Sequence, residues 1–231
     1  MKSNFERAAN SLLRRYDELD HKTREALELF RKGMTEEANA LMGEVTRMME
    51  KAAAISRKLP LYTGNPNAQN EVEAIIAEEC PVEMGFTEEG WFLLRMPPLA
   101  ICDEMASKDY IRGILYPAMR RFWAGKDIVR YPRSVIIFRH VYSRDRPERR
   151  KRDYDNVEVK FVIDTVVMYV LEDDSPGHCE QFHCTAAGAE EHTEAYVVPV
   201  EEFPDWYRRV KLIPDDGLPI TDVVPEKWKI Y

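Results

Sequence analysis

The residues best suited to chemistry lie between Arg144 and Asp174. Arg149, Arg150, Lys151 and Arg152 run straight into Asp153-Tyr-Asp155-Asn156, and Glu172-Asp173-Asp174 closes the stretch. One residue separates Asp153 from Asp155, so in an extended chain both carboxylates face the same way. Carboxylates gathered this closely repel one another, and their cheapest stable state is ionised around a divalent cation. Oxygen ligands with room for water suit Mg2+ or Mn2+. A cation held by Asp153, Asp155, Asp173 and Asp174 can present a phosphodiester and a water together, which metal-assisted hydrolysis requires. The basic side chains around it (Arg144, Arg146, Arg149, Arg150, Lys151 and Arg152) are suited to grip DNA phosphates on either side. Asn156, Lys160 and Asp164 recur at four-residue spacing. On a helix they share one face, and Lys160 reaches either Asp164 or a phosphate. A lone Asp-x-Asp is more often a solvated turn; its coincidence with Asn156, Lys160, Asp164 and a closing acidic pair favours function.

The run Arg-Asp153-Tyr-Asp155-Asn156-x-x-x-Lys160-x-x-x-Asp164, followed by Glu172-Asp173-Asp174, resembles the signature of RusA-like Holliday junction resolvases. These are magnesium-dependent, dimeric endonucleases that cut four-way DNA junctions. The resemblance extends over roughly residues 85–203 and includes a strand ending in Pro97-Pro98, a helix, a strand at 135–142, an Arg-rich loop and two closing strands. It implies that Asp153, Asp155 and Asp174 are metal carboxylates, with Asp173 sharing the last role. It implies that Lys160 meets the scissile phosphate or helps the leaving group, and that Asn156 orients the acidic loop. It also implies a homodimer on branched DNA, whose two sites match the two-fold symmetry of a junction. The sequence departs from the family in three ways. Three residues separate Asn156 from Lys160 where the family usually has two. The stretch after Pro98, Leu-Ala-Ile-Cys-Asp-Glu, is apolar and acidic. The chain as a whole is acidic. These departures give the alternative expectation: a RusA-like accessory protein of a mobile element that binds DNA or protein without cutting.

Other chemistry is less well supported. His178-Cys179-x-x-x-His183-Cys184 has the residue types of a zinc site. On a strand, however, Cys179 and His183 stand about 13 Å apart, too far to share one ion. His140 falls in a predicted strand, and no thiol has an evident activator. With only 10 glycines, no phosphate-cradling loop is present. Trp91, Trp123, Trp206 and Trp228 read as packing residues. Arg120, Arg121, Arg130 and Arg133 could extend a DNA track, though singly each is a solvated charge.

The elements that must position these residues follow from periodicity. Residues 4–58 read as two helices interrupted at Gly33, the second with an apolar seam at Met34, Ala38, Leu41, Val45, Met48, Ala52 and Ile55. That seven-residue stripe belongs to a helical hairpin or coiled coil. Residues 60–70 have linker composition, and Glu71–Glu79 forms a short helix stopped by Pro81. Val82–Phe86 and Trp91–Met96 flank Thr-Glu-Glu-Gly as a hairpin. Residues 107–124 form a helix that Pro117 must kink or break. Val135–Tyr142, Gln181–Thr185 and Ala195–Val200 are strands, and the last thirty residues wrap the surface. Val159-Lys-Phe-Val-Ile is β-like by propensity, yet the four-residue spacing favours a buried helix. The expectation is an α+β fold: a RusA-like small mixed β-sheet with helices over 85–231, a linker and short helix over 61–84, and an α-helical hairpin over 1–60.

The 231 residues carry 33 basic and 41 acidic side chains, a formal charge of -8. The imbalance is uneven, for residues 107–160 alone hold 15 basic against 7 acidic. A local basic field of this kind is compatible with a nucleic-acid partner even in an acidic chain. Apolar content of 45% supports a packed core and excludes global disorder. No apolar run approaches the ~18 residues of a membrane span, and no signal peptide is read at the amphipathic N-terminus. Four cysteines are too few for a disulfide scaffold at this length, so a reducing, cytoplasmic setting without membrane partners is expected.

Overall fold

The computed structural model describes residues 3–99, 106–127, 129–145, 159–173 and 175–228. The chain divides into two compact units, Met1–Ile75 and Ile76–Tyr231. In the first, helix α1 (Asn4–Arg31) turns back at Gly33, whose φ of 80° lies in the left-handed region, into helix α2 (Thr35–Lys58). A capping box opens α1, Ser3 Oγ accepting from the Glu6 amide and Glu6 from the Ser3 amide. Leu12, Leu19 and Ala26 of α1 are buried with Ala38, Val45 and Ala52 of α2. Both sets step by seven residues, so the predicted seam is the packed interface of a hairpin. The predicted linker is partly ordered. Pro60–Tyr62 makes a 3-10 turn, and helix α3 spans Ala68–Glu79, three residues longer at its start than expected. The Asn65 side chain takes up the Asn67 amide just ahead of it.

The second unit is a five-stranded mixed sheet in the order β1-β2-β5-β3-β4. Strands β1 (Glu83–Phe86) and β2 (Phe92–Met96) form the predicted hairpin, with Phe86 opposite Phe92. Helix α4 (Ala106–Trp123) is continuous through Pro117, so of the two expected effects, a kink or a break, the break does not occur. Burial of Ile114, Leu115, Ala118 and Met119 on both sides of the proline outweighs its one missing hydrogen bond. Strand β3 (Ser134–Ser143) is followed by helix α5 (Lys160–Val170) and then by β4 (Cys179–Gly188), which pairs with β3 in parallel. Strand β5 (His192–Pro199) returns antiparallel on the other side of β3. α5 is a helix despite its β-branched content because Val162, Ile163, Val166 and Val170 all reach the core from one side.

Side chains alternate across the sheet, so each face has its own core. On one face Phe92, Leu94, Ile136, Phe138, Ala195 and Val197 pack with α4 and α5. On the other, Leu93, Val135, Ile137, Tyr196 and Val198 are covered by Trp206 and Ile213. The C-terminal region does more than wrap the surface. It carries helix α6 (Phe203–Arg209) with fully buried Trp206, and it builds this second core. Thr221 further exchanges both backbone hydrogen bonds with Phe86, extending the sheet at β1. Among the described residues, no helix is long and apolar enough to cross a membrane.

Candidate functional site

The parallel pair β3 and β4, joined through α5, defines one end of the sheet. Tyr131, just ahead of β3, accepts a hydrogen bond from the Glu172 amide and donates its own amide to Val170. The C-terminus of α5 is thus tied to the start of β3, and its N-terminus lies toward the carboxyl end of that strand. Carboxyl ends of parallel strands, with a helix N-terminus nearby, are where open sheets bind ligands.

Lys160 is the first residue of α5. Its ammonium group is 3.2 Å from Asp164, and its side chain is 73% exposed. The predicted four-residue pairing therefore forms, and Lys160 stays open to solvent. Asp173 lies three residues beyond the other end of α5. The ten-residue step from Lys160 to Val170 is about 15 Å of helix, so Lys160 and Asp173 are not brought together. Asp173 instead stands 3.7 Å from His178, whose Nδ1 also meets Ser175 Oγ at 3.0 Å. Arg144 is ion-paired with Asp215. Asp153, Asp155, Asn156, Asp174, Arg146, Arg149, Arg150, Lys151 and Arg152 lie outside the described residues. Of the outlying arginines, Arg133 pairs with Glu180 at 3.0 Å and Arg130 donates to the Met168 carbonyl.

The resemblance implies a magnesium ion held by carboxylates. Among the described residues no group of three or more His, Cys, Asp or Glu side chains converges as a metal cluster. Asp173, the one described member of the proposed ligand set, stands beside the His178 imidazole.

Two polar clusters stand out that sequence reasoning missed. On the α5 face, His140 Nε2 meets His183 Nδ1 at 3.4 Å across the β3–β4 pair. Their rings stack with each other and with Phe138. Burial, and secondarily the neighbouring His183, pushes His140 down to about 4; burial lowers His183 as well. On the opposite face Glu194, fully buried, accepts from Arg139 at 2.9 Å and from the Tyr196 hydroxyl at 2.8 Å on Oε2. Its Oε1 lies 3.2 Å from His192 Nε2 and 3.7 Å from Arg95. Burial works to raise Glu194, but the bonds from His192, Arg139 and Tyr196 and the charge of Arg139 hold it below the ordinary carboxylate value. Burial and the adjacent Glu194 raise Tyr196 well above the usual phenol value. Beside this network lies a cleft of about 520 Å3, lined by Arg95, His192, Glu190, Glu191, Asp215 and Asp216 among others. The zinc reading along β4 fails on alternation: Cys179 and His183 share a face four residues apart, while Cys184 points to the other. Burial raises the Cys184 thiol to about 11, away from the reactive thiolate.

No curated protein matches this chain, and no solved structure does. A family model, described as a family of unknown function (DUF6100), matches residues 1–218. That span takes in the helical hairpin, the whole sheet and the segment from Arg144 to Asp174, and the chain therefore belongs to the DUF6100 family.

Proposed function

We propose that the chain is a magnesium-dependent, structure-selective DNA endonuclease that acts on branched DNA as a homodimer. The reading is supported by the order of its parts: strand β3, a basic and acidic connection, helix α5, then the parallel strand β4. The observation that carries it is Lys160. Its solvent-open ammonium stands on the first turn of α5, five residues after Asp155. There the helix dipole and the lysine charge favour the same thing, a phosphate. A bound cation supplies an activated water. Lys160 offsets negative charge on the phosphate or on the departing oxygen, Asp164 holds the lysine in place, and Arg144 with the arginines that follow it grips the flanking backbone. The test is nicking of a synthetic four-way junction. Cleavage is expected only with Mg2+ or Mn2+, and is expected to be lost in Asp155→Asn and reduced in Lys160→Ala. Absence of divalent-dependent nicking by the unaltered protein removes the reading.

A second reading has an observation of its own. Lys160 and Asp173 sit at opposite ends of α5, which favours a non-cleaving accessory protein that binds DNA or protein. That protein shifts a four-way junction in a salt-sensitive manner and leaves it uncut.

A further inference from the structure

We infer that His140 and His183 supply two ligands of a transition-metal site, for Zn2+ or Co2+, on one face of the β3–β4 pair. The two imidazole nitrogens are 3.4 Å apart. Two nitrogens bound to one tetrahedral zinc, each 2.0–2.1 Å from the ion, stand about 3.4 Å from each other. The pair thus already has the edge length of such a site, and entry of an ion calls for a small rotation of the rings rather than movement of the backbone.

The backbone makes that spacing durable. β3 and β4 are paired residue by residue, with Phe138 opposite His183 and His140 opposite Thr185. The rings are inclined by only 14°, with centroids 5.7 Å apart. Ligands carried on paired strands hold position better than ligands on loops. Access comes from one side: His140 is 3% exposed, but His183 is half-buried on the edge strand β4. Imidazole ligands select zinc, cobalt or nickel over magnesium, which prefers oxygen. None of the carboxylates from Asp153 to Asp174 enters this inference, so it stands or falls apart from the endonuclease reading.

The competing account is a pair of imidazoles that share one proton and bind nothing. Titration of the full chain with Co2+ alone, followed by visible absorption, separates the two, with Zn2+ calorimetry alongside. The inference expects one equivalent per chain and the spectrum of tetrahedral cobalt. Affinity is expected to fall by more than about tenfold in His183→Gln, and to stay unchanged in His21→Gln and His178→Gln, which remove exposed histidines. A measurement on the unaltered chain guards against a misfolded variant: the imidazole resonances of both His140 and His183 are expected to move at one equivalent of Zn2+. Undiminished cobalt binding by His183→Gln, no stoichiometric binding at all, or imidazole signals unmoved at one equivalent overturns the site.

Discussion

Arg139 and His140 are neighbours on β3, yet they point to opposite faces of the sheet and meet opposite circumstances. Arg139 ends in a buried ion-paired network. Both oxygens of Glu194 are engaged, by Arg139 and Tyr196 on one and by His192 and Arg95 on the other, and Arg139 also donates to the Pro214 carbonyl at 3.1 Å. His140 Nε2 meets a second imidazole nitrogen, that of His183, at 3.4 Å. A buried ion pair that also binds the Pro214 carbonyl is architecture: it fastens the C-terminal segment to the sheet. A pair of imidazole nitrogens set face to face on paired strands is a geometry that an ion can bridge.

This contrast can be broken at several strengths. The largest loss is expected from Glu194→Gln, which leaves Arg139 buried beside an uncharged partner. Denaturant unfolding should show a destabilisation of about 3–5 kcal/mol, and a loss within about 1 kcal/mol would mean that the network is dispensable. Next is acid. Unfolded His140 titrates near the ordinary 6.5 and the folded residue near 4, so the unfolded state binds more protons in between. Stability is therefore full above about pH 6.5 and falls as the pH drops toward about 4, by up to about 3 kcal/mol for this residue. His183 adds in the same direction. Glu194, also lowered, contributes stability that is full above the ordinary carboxylate value and is lost as the pH falls through its folded value. Denaturant unfolding at about pH 7.5 and about pH 5 reads the drop, and equal stabilities would contradict it.

Gly217→Ala should cost about 2 kcal/mol. Its φ is +83°, and an added Cβ would lie 2.1 Å from Glu194 Oε1 and 2.5 Å from Arg95 Nη2, so the Glu194 network would have to shift. A wild-type melting curve for this variant would show that the tail can relax. On the other face His183→Gln, at a half-buried edge position, should cost less than about 1 kcal/mol while removing metal binding. Smallest of all is Lys160→Ala. The exposed pair with Asp164 contributes at most about 0.5 kcal/mol, so thermal unfolding should barely move even where junction cleavage falls.

Much of the architecture can be read from local pattern. The seven-residue steps of Leu12, Leu19, Ala26 and Ala38, Val45, Ala52 mark the hairpin because a helical seam repeats within one element. The Lys160–Asp164 pair was visible for the same reason, since a spacing of four is a contact on any helix. Helix α5 emerges from spacing against propensity, because a helix buried along one side gains more from packing than its β-branched residues lose. The role of the C-terminal region was hidden. Nothing local to Trp206 says that a second sheet face waits to be covered. The His140–His183 and Arg139–Glu194 pairs were hidden too, lying 43 and 55 positions apart.

The sequence by itself determined which segments become helices and strands, where the charge gathers, and which side of each element seeks the core. These depend on contacts a few residues long and on periods of two, three and a half, and four. Only the tertiary structure decided that β3 and β4 run parallel with Phe138 opposite His183, that Lys160 and Asp173 are held apart by the length of α5, and that one sheet face is closed by the tail. Register and strand order are set by the packing of surfaces remote in the chain, and a one-residue slip in β4 would send His183 to the opposite face.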